Sequence, residues 1–108
     1  MTRKEALAEL IEKVEAGEWD AAGFSRALSY DDCRRLDAYR AYEGSLDAAK
    51  ALHEAVLPGW EWHLGPSNAK IYPYNGSPVK SWDGMADTPA RAWLIAILRA
   101  LYARETDT

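Results

Sequence analysis

One cysteine, one phenylalanine, two histidines and two methionines in 108 residues leave this chain short of the usual materials for site chemistry. The single Cys33 excludes an internal disulfide and fits a reducing compartment. His53 and His63 stand ten positions apart, whereas two zinc ligands on one helical face need a spacing of about four. With one cysteine and scattered acids they make a poor ligand set, so no metal is expected. Nothing in the sequence brings Cys33 to either histidine as a nucleophile beside its base, and a lone cysteine more often packs as a small apolar residue. No Gly-rich phosphate loop is present, because Asn75-Gly76 and Asp83-Gly84 are turn formers. The expectation is a protein with no cofactor and no catalytic constellation. No apolar run approaches the ~18 residues of a membrane span. Met1-Thr2-Arg3-Lys4-Glu5 leads into an amphipathic helix and not a signal peptide, so the cytoplasm is the expected location. A formal net charge of −4, with both signs interspersed, argues against nucleic acid as the main partner.

What the chain does have is five Trp and six Tyr. These side chains combine apolar area with a polar tip and serve cores and binding surfaces alike. Length and composition suit one soluble domain over 1–108. Thr2 with Glu5 reads as a capping box, and Leu7, Leu10, Ile11 and Val14 recur at helical spacing up to Gly17. Residues 18–43 carry weaker signals: loop or broken helix, then a short helix from Asp31-Asp32 to about Gly44. Ser45 caps a third helix, with Leu46, Ala49, Leu52, Ala55 and Val56 as its apolar stripe and Pro58-Gly59 as its stop.

The period then changes. Trp60, Trp62 and Leu64 alternate with Glu61 and His63, as along a half-buried strand. Gly65-Pro66-Ser67-Asn68 is a turn. Lys70 to Tyr74 and Ser77 to Trp82 read as a hairpin across Asn75-Gly76, which sets Tyr72 beside Val79 and Tyr74 beside Ser77, with Ile71 and Lys80 on the other face. Pro73 and Pro78 cannot donate to a ladder and predict a sheet-edge hairpin. Thr88-Pro89 opens a final helix to about Arg104, apolar nearly all round and expected to be the most buried element. The expected fold class is α+β: a small three-stranded antiparallel sheet packed with helices, in the order α-(α)-α-β-β-β-α.

Ser45-Leu46-Asp47-Ala48-Ala49, Leu57-Pro58-Gly59-Trp60-Glu61-Trp62 and Ala86-Asp87-Thr88-Pro89-Ala90 together resemble the phage ABA sandwich domain family. Leu10-Ile11-Glu12-Lys13-Val14-Glu15-Ala16 is similar to that family's opening helix. The resemblance implies a small phage or prophage protein with helices on a small sheet, acting in the bacterial host cell. It carries over no catalytic residue.

His63, Lys70, Tyr72, Tyr74, Lys80, Trp82 and Arg91 put flat aromatic surfaces and cations within one β segment and the start of the next helix. Stacking suits a nucleobase at ~1–3 kcal/mol per base, and cations near a helix N-terminus suit phosphates. The bland alternative is that the tyrosines line a hairpin while the lysines keep its edge soluble. Trp60, Trp62 and Trp93 read as core. The leading expectation is a phage-encoded, non-enzymatic counter-defence protein, an oligomer that sequesters a small nucleotide-derived signal. The alternative is an inhibitor or adaptor that binds a host or phage protein, for which Arg34, Arg35, Tyr39, Arg40 and Tyr42 form a second cluster.

Overall fold

Thr2 starts the first helix as its capping box requires. Its hydroxyl accepts from the Glu5 N–H at 3.1 Å and donates to the Glu5 carboxylate at 3.3 Å. The computed structural model describes residues 2–27, 32–73 and 81–105, side chains at 25, 26 and 32–35 excepted. Helix α1 (Arg3–Glu15) buries Ala6, Leu7, Leu10 and Val14. Gly17 stops it at φ 82°, in the left-handed region where a glycine carries no Cβ penalty.

Residues 21–27 are helical, where the pattern reads loop or broken helix. Asp20 begins α2 (Ala21–Ala27): its carboxylate accepts from the Gly23 N–H at 3.1 Å and its carbonyl from the Phe24 N–H at 3.0 Å. Phe24 is fully buried, with Trp19 stacked on it at 4.2 Å. So short a helix has little intrinsic stability and holds by this packing. Helix α3 (Asp32–Tyr42) ends near Gly44 as expected.

The Ser45 hydroxyl accepts from the Ala48 N–H at 3.1 Å and opens α4 (Leu46–Val56). The buried face of α4 departs from the expected stripe. It comprises Ala48, Ala49, Leu52 and His53, while Leu46 is 43% exposed and Ala55 faces solvent. The helix is turned so that a histidine enters the core, and this is tolerable because both ring nitrogens find partners there.

Strands β1 (Glu61–Leu64), β2 (Asn68–Tyr72) and β3 (Trp82–Met85) form one antiparallel sheet in the order β1-β2-β3. Helix α5 (Pro89–Glu105) starts on Thr88, whose hydroxyl accepts from the Arg91 N–H at 3.2 Å. As expected it is the core of the molecule: Trp93, Leu94, Ile95, Ile97, Leu98 and Leu101 are all buried. Gly84 lets it lie directly on β3. A Cβ there would stand 2.0 Å from the Ala92 carbonyl oxygen and 2.8 Å from the Ala96 nitrogen. The architecture is α+β, in the expected order of helices and strands.

The hairpin register differs from expectation. Ile71 lies opposite Trp82 and Ala69 opposite Gly84, two residues along from a pairing set by a two-residue turn at Asn75-Gly76. A shift of two keeps every side chain on its own face, so alternation could not detect it. Burial decides it, because this register places Gly84 where α5 makes its close approach. The turn itself and the partners Val79, Ser77 and Pro78 lie outside the described residues. β2 is the central strand and not an edge. Pro73 follows the last residue of β2 and so removes no ladder bond.

Trp62, Ala69, Ile71, Trp82 and Gly84 alternate toward the helices. Leu64 shares their side of the sheet but is 38% exposed, not packed with Trp60 and Trp62 as the alternation suggests. Glu61, His63, Asn68, Lys70, Asp83 and Met85 occupy the opposite face and are all exposed. Among the described residues, no helix is long and apolar enough to cross a membrane.

Candidate functional site

The open sheet face collects the polar half of the strand sequences. In the β1–β2 register His63 lies opposite Lys70 and Glu61 opposite Tyr72, which makes His63 and Tyr72 diagonal neighbours. Their rings lie nearly parallel, with centroids 5.6 Å apart and 18° between planes, and His63 Nε2 shares a hydrogen bond with the Tyr72 hydroxyl at 2.8 Å. Lys70 stands beside this pair. Among the described residues its ammonium makes no hydrogen bond or ion pair.

Two grooves flank the central strand, and Asn68 and Lys70 line both. The first, of about 530 Å³, is open and bounded by His63, Leu64, Gly65, Asn68, Lys70, Tyr72 and Ser81. Among the described residues no carboxylate lines it. The second, about 460 Å³, runs between Pro66, Ser67, Asn68, Ala69, Lys70, Asp83, Gly84 and Met85 and includes the Asp83 carboxylate. Lys70 is shared by the two grooves and lies directly opposite Asp83 on the same face, so an anion is better placed on the His63–Tyr72 side of Lys70, away from that carboxylate, than in the second groove.

Of the seven expected site residues, the structure brings three together: His63, Lys70 and Tyr72. Trp82 is half-buried on the helix-facing side, its ring tilted against Trp60 at 5.4 Å. Arg91 is engaged elsewhere. Its Nε donates to the Tyr42 carbonyl at 2.9 Å and its guanidinium lies 4.1 Å over the Tyr42 ring, tying the start of α5 to the end of α3. Tyr74 and Lys80 lie outside the described residues. Asn68 and Ser81 are groove residues that the sequence reading passed over. Asn68 shares the parity of Lys70 and Tyr72, and that signal was available once the strand was extended back to it.

The second histidine is structural. His53, 1% exposed, sits between Trp93 and the chain entering β1. Trp93 Nε1–H donates to its Nδ1 at 3.1 Å, so Nδ1 carries no proton. Nε2 then bears the hydrogen and donates to the Trp60 carbonyl at 3.0 Å. Burial lowers its pKa, and the Trp60 carbonyl, Glu54 and Glu61 only partly oppose that shift. With Trp62 edge-on to His53 at 5.0 Å and Trp93 tilted to Trp62 at 5.1 Å, this histidine fastens β1 to α4 and α5.

Among the described residues, no group of three or more His, Cys, Asp or Glu side chains is arranged to hold a metal. No protein-family model, no curated protein and no solved structure matches this chain.

Proposed function

We propose that the chain is a non-enzymatic binding protein that captures a small, anionic, nucleotide-like ligand in the His63–Lys70–Tyr72 groove and returns it unchanged. The observation that carries this reading is a groove with no carboxylate among its described lining residues, in which the exposed Lys70 adjoins a nearly parallel imidazole–phenol pair. A nucleobase would stack on the exposed ring face, Lys70 would take the phosphate, and the Asn68 amide and Ser81 hydroxyl would supply directional hydrogen bonds. The resemblance to small phage proteins supports a setting in the cytoplasm of an infected bacterium, where removal of a nucleotide signal would blunt host defence. A protein partner is the second reading. It is favoured by Met85, 75% exposed beside Asn68, and by the half-exposed Leu64.

The test is a thermal-shift screen against cyclic and linear nucleotides, with chromatography of the recovered ligand. A ligand at about 100 times its Kd adds ~2.7 kcal/mol and raises Tm by several degrees. Lys70→Ala should abolish the shift with little change in the unliganded Tm, since Lys70 is exposed and among the described residues makes no ion pair, although it lies opposite Asp83. A ligand recovered chemically changed would make the protein an enzyme. No shift with any nucleotide would refute capture and leave the protein partner.

A further inference from the structure

The two edges of the sheet are unlike. Gly65 N–H donates to the Asn68 carbonyl at 2.9 Å, which marks that pair as a hydrogen-bonded one. Alternation along the ladder then turns the backbone of Glu61 and His63 toward β2, and that of Trp62 and Leu64 outward. On the other side Ala86 N–H donates to the Ser67 carbonyl at 3.1 Å, so Asp83 and Met85 are the outward residues of β3. That edge is partly closed: the Asp83 carbonyl accepts from Arg99 Nη1 at 2.8 Å, and Glu15 holds Arg99 at 3.0 Å. Among the described residues the β1 edge is closed only at its entrance, where the Trp60 carbonyl accepts from His53. Among the described residues the outward N–H and C=O groups of Trp62 and Leu64 have no partner. β1 also lacks the lysine or proline that commonly guards such an edge.

We infer that β1 is the docking strand for a second copy of this chain, paired antiparallel about a two-fold axis at His63, so that two three-stranded sheets become one. The register follows from the groups available. Pairing Trp62 with Leu64 of the partner subunit, and Leu64 with Trp62 of the partner subunit, uses all the outward groups in four hydrogen bonds. A pairing centred on Trp62 would need Trp60, whose N–H already goes to the Leu57 carbonyl at 3.2 Å and whose carbonyl goes to His53. One centred on Leu64 would set Trp62 against Pro66, which has no N–H to give.

Side chains agree with this choice. On the helix-facing side, Leu64 would be covered by Trp62 of the partner subunit. On the open side, each His63 meets His63 of the partner subunit, with the Glu61 carboxylate of the partner subunit on the diagonal as a hydrogen-bond acceptor. The two His63–Lys70–Tyr72 grooves would then adjoin along the seam. This inference does not depend on the ligand reading.

A four-residue edge buries little area, so the dimer belongs to the weak class and is sought from about 10 μM to about 1 mM by sedimentation velocity. The mass should rise toward that of a dimer across this range. His63→Lys, which sets like charges face to face across the seam, should leave a folded monomer, with a somewhat lower Tm because the substitution also faces Lys70 and loses the Tyr72 hydrogen bond. Asp83→Lys, on the other edge, should leave the dimer intact. In a Cys33→Ser background, His63→Cys should cross-link two chains under mild oxidation, because directly opposed residues of this pair type lie about 4.5 Å apart at Cα. Glu61→Cys should not. A monomer throughout the range would overturn the proposal, as would a dimer indifferent to His63→Lys, a dimer lost in Asp83→Lys, or cross-linking at 61 instead of 63.

Discussion

Acid should destabilise this protein through His53, well before its carboxylates titrate. In the unfolded chain the imidazole takes up its proton near the ordinary value of about 6.5. In the folded chain burial lowers the pKa, and Nδ1, the only site left for a second proton, faces the Trp93 N–H at 3.1 Å. Below pH ~6.5 and above the folded value, the unfolded state carries the extra proton. Stability is therefore full above pH ~6.5 and falls as pH drops toward the folded pKa, by up to ~1.4 kcal/mol per pH unit. For a domain of about this length, 1 kcal/mol moves Tm by roughly 4–8 °C, so one pH unit costs about 5–10 °C. The assay is thermal unfolding between pH 7.5 and 5.5, above the carboxylate range of about 4. His53→Gln should flatten the slope. Its side-chain amide can still reach toward the Trp60 carbonyl, but Trp93 Nε1–H loses its acceptor, so Tm at pH 7.5 should fall by an amount matching ~1–3 kcal/mol. Equal slopes in wild type and His53→Gln would refute the assignment of acid sensitivity to this buried ring.

Two further substitutions test the packing. Gly84→Ala drives a Cβ into the α5 backbone, which can yield only by moving helix and sheet apart, and should cost at least ~1–3 kcal/mol in urea unfolding. A loss below ~0.5 kcal/mol would show that β3 and α5 are not in this close approach. Asp20→Ala removes the cap of α2 and the partner of Lys13 at 2.9 Å, and should lower the urea midpoint by the equivalent of ~0.5–2 kcal/mol with the m-value unchanged.

The capping residues made most of the helices legible. Thr2, Ser45 and Thr88 each bond the N–H three positions on, and this depends only on neighbours in sequence. α2 escaped notice because its cap, Asp20, is followed by Ala21-Ala22-Gly23, which has no apolar period; its core contacts come from Phe24, under Trp19, and Ala27. His63, Lys70 and Tyr72 were identifiable as neighbours because strand alternation sends them to one face. Trp82 and Arg91 were not separable from them in sequence. Whether an aromatic ring or a cation is free depends on Trp60 and Tyr42, which lie 22 and 49 positions away.

Local sequence by itself determined the overall order of helices and strands, the starts of α1, α4 and α5 and the burial of the last helix, since caps, turn formers and periodicity act over a few residues. Tertiary structure alone decided the hairpin register, the rotation of α4 that buries His53, and that helices cover one face of the sheet and not both. These depend on where α5 can touch the sheet. Gly84 opposite Ala69 allows that contact, and alternation is blind to a shift of two residues.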